Sequence, residues 1–147
     1  MFKNILIPTD GSELSQKAAV QGVALAKAVG AKVTGFFAAP PATPITYRNN
    51  LPVGFAQPAE NAELIEKTSA QNLAVIERIA KEAGVPFEGL HRTDDYPAHA
   101  ILEVAGKKGC DLIVMGTEGE GGLGGLLVGS VTQKVINQAK IPVMVLR

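Results

Sequence analysis

The feature that most constrains this chain is a regular exchange of short apolar runs with longer amphipathic ones. FKNILIP (2–8) is mostly apolar and stops at Pro8, as a buried strand would. Asp10-Gly11-Ser12 then offers a turn and a helix cap, with Glu13 in the first turn of a helix over 14–29. The apolar face of that helix is Ala18, Ala19, Val20, Val23, Leu25, Ala26 and Val29, and Gly30 is its stop. KVTGFFA (32–38) reads as a second strand. Residues 39–58 carry Pro40, Pro41, Pro44, Pro52 and Pro58 without a helical period, and read as a long surface loop or lid. A helix over about 60–83 follows, with Leu64, Ile65, Leu73, Ile76, Ile79 and Ala80 inward and Gly84 and Pro86 at its end. VPFEGLH (85–91) is a weaker third strand, and 97–108 a helix with Pro97 in its first turn. DLIVMG (111–116) is the clearest strand, 129–139 a last helix, and IPVMVL (141–146) the closing strand.

Strands separated by helices need crossover connections, so the chain is expected to form a parallel sheet covered by helices on both faces. At 147 residues it fits one domain, 1–147. Fourteen basic residues balance fourteen acidic ones, which argues against a nucleic-acid partner. No apolar run approaches the ~18 residues of a membrane span, and the N-terminal run is broken too early for a signal peptide. With the single Cys110, which reads as a buried, inert thiol, these features point to a cytoplasmic protein.

In such folds ligands sit beyond the carboxyl ends of the strands. Two segments fall there: PTDGS (8–12) and GTEGEGGLGGLLVGS (116–130). Gly119 to Gly124 matches G-x-G-x-x-G, but a dinucleotide site needs an acid on a following strand, and no Asp or Glu occurs after Glu120. Gly124 to Ser130 has Walker-like spacing without the lysine. The sparser frame Gly116, Gly119, Gly129-Ser130 survives both tests. Gly129-Ser130 open a helix whose first N–H groups form an anion site, and Gly116 and Gly119 would let backbone approach a ligand. The same residues also fit a loop with Ser130 as a cap. Asp10 fits a turn or cap; as a carboxylate it could also accept ribose hydroxyls or hold Mg²⁺ through water. Asp94-Asp95 reads as a turn into the next helix, and His91 and His99 have no partners at metal-ligand spacing.

With PTDGS after the first strand, VMGTEG…GS at x9 spacing, GSVTQKVI and an IPVMVL ending, the whole chain resembles the universal stress protein (UspA-like) family. The resemblance implies a doubly wound α/β fold with five parallel strands in the order 3-2-1-4-5. It implies a homodimer through Ile141–Leu146, and binding of ATP, or of AMP or ADP. Carried over by position, Pro8, Thr9 and Asp10 would border adenine and ribose, and Ala38 would line the adenine pocket. Met115, Gly116, Gly119, Gly129, Ser130 and Val131 would hold ribose and phosphates. Glu118 and Glu120 depart from the pattern, standing near where relatives often carry basic residues. The expected function is an adenine-nucleotide-binding regulator. The alternatives are a dimeric interaction module without nucleotide, and a slow ATPase or other adenine-nucleotide-dependent enzyme.

Overall fold

The computed structural model describes residues 1–39, 45–48, 51–55, 58–117 and 129–147, with the side chains of 45–48, 51–55 and 58–61 left aside. The elements in chain order are β1 (Asn4–Thr9), α1 (Glu13–Val29), β2 (Lys32–Ala39), β3 (Ile45–Arg48), β4 (Leu51–Phe55), α2 (Pro58–Ala83), β5 (Phe87–Thr93), α3 (Pro97–Lys107), β6 (Leu112–Gly116), α4 (Ser130–Gln138) and β7 (Val143–Leu146). The main sheet has five parallel strands in the order β5-β2-β1-β6-β7. Leaving out the β3–β4 pair, that is the order 3-2-1-4-5.

Side-chain alternation along the strands builds two cores. Ile5, Ile7, Val33, Leu112 and Val114 face α1 and α2, joined by Ala19, Val23, Ala26, Ile76 and Ala80. Leu6, Phe36, Ile113 and Met115 face α3 and α4, joined by Ala98, Ile101, Val104 and Val135. Both cores share β1, whose six residues are all buried.

Asn4, the polar residue that opens this strand, is buried and fully used. Its Oδ1 accepts from Thr34 Oγ1 at 2.9 Å, and its Nδ2 donates to the Lys108 carbonyl at 3.0 Å. Its backbone N–H donates to Asp111 Oδ1 at 3.1 Å, while the Asp111 N–H returns to the Asn4 carbonyl at 3.0 Å. The amino end of the sheet is thereby tied across β2, β1 and the start of β6. Cys110, beside this tie, is buried, and burial pushes its thiol pKa up, as an inert cysteine requires.

Three expectations need correction. Within 39–58, β3 and β4 pair antiparallel as a second, two-stranded sheet. Pro52 is tolerated there because each strand of such a pair has an edge that needs no donor. Val20 is 49% exposed rather than inward, lying on the α1 flank beside Leu146. Leu64 is 62% exposed. The 26 residues of α2 rise about 39 Å while the eight of β2 span about 26 Å, so one end of α2 runs past the sheet it covers.

Replacing Asn4 by Ala should lower the unfolding free energy by about 2 kcal/mol, because it strands the Thr34 hydroxyl and the Lys108 carbonyl. Urea unfolding monitored by circular dichroism measures this, and a change under about 0.5 kcal/mol would discount the tie.

Candidate functional site

The chain moves from β1 outward to β2 and β5, then crosses back to β6 and on to β7, so its topological switch point lies between β1 and β6. The ladder there is short. Paired positions end at Leu6↔Ile113, although β1 continues to Thr9 and β6 to Gly116. Asn4 exchanges its backbone bonds with Asp111, so the even-numbered residues of β1 turn their N–H groups toward β6. Pro8 is the next even residue after Leu6 and has no N–H. The β1–β6 ladder thus stops short of the carboxyl ends of both strands.

The turn after β1 is built from its own side chains. Gly11 adopts φ 83°, and a Cβ there would stand 2.8 Å from Asn72 Oδ1 of α2. Asp10 Oδ1 accepts the Ser12 N–H at 2.9 Å, and Ser12 Oγ accepts the Ser15 N–H at 3.2 Å, capping α1. Ser15 Oγ donates to the Ser12 carbonyl at 2.8 Å, so in its 3.1 Å contact with Thr9 Oγ1 the threonine is the donor. Thr9 Oγ1 also accepts the Gly11 N–H. The Thr9 hydroxyl is therefore spent on the turn. Asp10 is exposed and keeps its second oxygen clear of the described hydrogen bonds.

Beside this turn stand β6 with α4 on one side of β1 and β2 on the other. Met115 is buried in the core facing α3 and α4, and Ala38 and Val131 pack against that same core. Gly116 has a packing reason for its missing side chain. A Cβ there would lie 2.9 Å from Leu14 Cγ, so the glycine admits the first turn of α1. The Gly116 carbonyl accepts the Thr132 hydroxyl at 2.8 Å, and the Thr117 carbonyl accepts the Gly129 N–H; together they seat α4 at the end of β6. Gly129 is the N-cap of α4 and gives no side-chain bond; Ser130, exposed, is its first residue. Gly119, with Glu118 and Glu120, lies outside the described residues.

Pro8 and Thr9 end β1 and Asp10 follows them, Met115 and Gly116 end the neighbouring β6, Ala38 lies near the end of β2 on the other side of β1, and Gly129, Ser130 and Val131 start α4. The described residues contain no group of three His, Cys, Asp or Glu placed to hold a metal. Two neighbouring features had no sequence signal. One is Thr117, whose side chain is buried at the end of the ladder. The other is a cavity of about 410 Å³ between α3 and α4, lined by Tyr96, His99, Val131, Lys134 and Gln138 among others. Lys134 lies one helical turn beyond Ser130, so it shares a face with the start of α4.

A family model described as the universal stress protein family matches residues 1–147. The chain belongs to the universal stress protein family. Among family members, MJ0531 of Methanocaldococcus jannaschii is 36% identical over 152 residues, covering all of this chain and 83% of its own. A universal stress protein of Thermus aquaticus is 36% identical over 151 residues, with both chains fully covered. A universal stress protein solved in complex with cAMP is 25% identical, with a TM-score of 0.71 over 99% of this chain and 97% of that one. No helix among the described residues is long and apolar enough to cross a membrane.

The Asp94-Asp95 pair resolves into the expected turn of this family member. Asp94 Oδ1 accepts the Tyr96 N–H at 2.8 Å and Oδ2 meets Arg92 at 2.8 Å, which together hold its carboxyl below the usual range. His91 is exposed on β5, and His99 stands 3.7 Å from Glu103 on the surface of α3. Glu103 also binds Lys107 at 2.9 Å and Arg92 at 3.1 Å, fastening edge strand β5 to α3. Lys107 first, then Arg92, lowers the Glu103 pKa from 4.5 to about 2. A folded-state pKa below the unfolded one stabilises the fold above pH 4.5, and that contribution is lost as the pH falls toward 2. Glu103→Gln should therefore lose less stability than the native protein between about pH 5 and pH 3, read from urea midpoints. Parallel pH profiles would show that solvent screens the pair to insignificance.

Proposed function

We propose that this protein is an adenine-nucleotide-binding regulator of the stress-response type, acting in the cytoplasm as a homodimer. The observation that carries the reading is an uncapped helix N-terminus at an open switch point: α4 begins without a side-chain cap where the β1–β6 ladder has stopped. Free N–H groups at a helix start attract anions, and no acidic residue occupies the first turn of α4. Ala38, Met115 and Val131 offer one apolar wall for a base. In this reading the second Asp10 oxygen accepts ribose hydroxyls, and the backbone of Pro8 and Thr9 borders ribose and adenine. The Ser130 hydroxyl and the amides of Ser130 and Val131 receive phosphate, and Gly116 positions β6; Gly119, outside the described residues, keeps the role that the family resemblance gives it. Lys134 adds a positive charge one turn away. The cAMP held by the 25%-identical family member supports the ligand class.

ATP, ADP and AMP all fit that class. Mg²⁺ would arrive with the phosphates and reach Asp10 through water, since one carboxylate alone does not hold the ion. Glu118 and Glu120 weigh against a triphosphate, by about 1 kcal/mol per pair of like charges at 4 Å in water. Backbone amides, a hydroxyl and one carboxylate make a binding inventory, so any ATP hydrolysis is slow. The two acidic residues favour a second reading, a dimeric interaction module that has given up nucleotide.

Calorimetric titration of nucleotide-free protein with ATP-Mg²⁺ and AMP decides between the two readings. Binding in the micromolar range is expected, weakened roughly tenfold or more in Ser130→Leu and Gly119→Glu. No heat at about millimolar nucleotide would establish the interaction module instead, and unchanged affinity in both variants would refute the site.

The homodimer is proposed through Ile141–Leu146. β7 is an edge strand, its Met144 is 38% exposed, and an uncovered apolar edge recruits another chain. The Pro142 and Leu146 carbonyls accept from Ile113 and Thr117, so even-numbered residues of this strand face β6. The donor that Pro142 lacks is thus on the inner side, and Val143 and Val145 keep the outer edge intact. Sedimentation velocity at micromolar concentration should show a dimer, and Val145→Pro should give a folded monomer. A native protein that sediments as a monomer would refute this interface.

A further inference from the structure

The cavity of about 410 Å³ between α3 and α4 combines a mostly apolar lining with two unpaired charges. Pro97, Ala98 and Val131 supply apolar surface, and Tyr96 adds an aromatic ring that the fold leaves 71% exposed. Asp95, just before α3, and Lys134 of α4 line the same cavity with opposite charges. They do not pair with each other, so they stand farther apart than the ~4 Å of an ion pair. Among the described residues, neither side chain makes a hydrogen bond or ion pair with any other group. Their neighbours differ in this respect. Arg92 meets Asp94 and Glu103, Lys107 meets Glu103, and His99, also in the lining, stands 3.7 Å from Glu103.

A concave space of this size, largely apolar with a few polar groups, suits a small molecule. A purely anionic ligand would meet repulsion from Asp95, and a purely cationic one from Lys134. A ligand that carries both charges bridges the two walls and is itself neutral, as the pair is. We propose that the α3–α4 cavity binds a zwitterionic amino acid with an apolar side chain. Its ammonium donates to the Asp95 carboxylate and its carboxylate accepts from the Lys134 ammonium. Its side chain lies on Pro97, Ala98 and Val131 beside the Tyr96 ring. Val131 contributes its side chain here, whereas the nucleotide reading uses its backbone amide. The inference stands whether or not a nucleotide binds, and it gives the protein an amino-acid input of its own.

Calorimetric titration of nucleotide-free protein with L-phenylalanine tests this, beside glycine, hydrocinnamate and phenethylamine. L-Phenylalanine should bind with a dissociation constant of about 1 mM or below. Glycine lacks the apolar side chain, hydrocinnamate the ammonium and phenethylamine the carboxylate, so each should bind roughly fivefold or more weakly. Asp95→Asn and Lys134→Gln should each weaken L-phenylalanine binding roughly fivefold or more. Both side chains are exposed and unpaired, so both variants should melt within a few degrees of native protein. Absence of L-phenylalanine binding at about 10 mM would overturn the proposal. Unchanged affinity in both folded variants would overturn the placement of the ligand in this cavity. Hydrocinnamate or phenethylamine binding as tightly as L-phenylalanine would overturn the zwitterionic class. Failure of nucleotide binding, measured separately, leaves this inference intact.

Discussion

Everything in this molecule depends on the burial of β1 (Asn4–Thr9) on both faces and both edges. A strand in that position has no water to turn to, so each backbone donor and acceptor must find a neighbour. Toward its amino end the requirement is met in full, with Asn4 and Asp111 closing a reciprocal pair and Thr34 joining through Asn4. Toward its carboxyl end Pro8 withholds the one donor that would carry the β1–β6 ladder further. The strand that fixes the architecture therefore also decides where it opens. The short β1–β6 ladder is a consequence of that asymmetry.

Two helices begin beside the opening, and their starts are chemically opposite. The first turn of α1 is saturated: Ser12 caps it, Asp10 braces Ser12, Thr9 and Ser15 exchange hydroxyl bonds, and Glu13 adds negative charge. An anion gains nothing there. The first turn of α4 has a glycine at its cap and no acidic residue. Of the two helix starts, the one at α4 is the one without a side-chain cap or an acidic residue. The ion cluster of Arg92, Asp94, Glu103 and Lys107 stands apart from this division and secures the sheet edge at β5.

Strand and helix types were legible because burial on both faces makes runs such as ILIP and LIVM nearly pure in apolar residues. The turn at Asp94 and the inert Cys110 were legible too, since each follows from local chemistry and depth in a core. The faces of helices were less so. Val20 and Leu64 fit an apolar stripe by spacing, yet exposure depends on how far a helix overhangs its sheet and where the sheet ends. The β3–β4 pair was hidden by prolines, which signal irregular chain unless the partner strand is known. At Gly116 the packing reason for a glycine was hidden, because the neighbour that forbids its Cβ, Leu14, is about a hundred residues away in the chain.

By itself, then, the sequence determined the alternation of elements, the parallel sheet, the family, and the two strands, β1 and β6, whose ends flank the switch point. These depend on periodicity and on short-range motifs, which a chain carries wherever it goes. The tertiary structure alone decided which hydroxyls are spent and which are left over. Thr9 and Thr117 look equivalent as threonines at strand ends; only packing shows that Thr9 is bonded twice and Thr117 not at all. Hydrogen-bond satisfaction is a property of neighbours brought together from distant positions, and no local pattern records it.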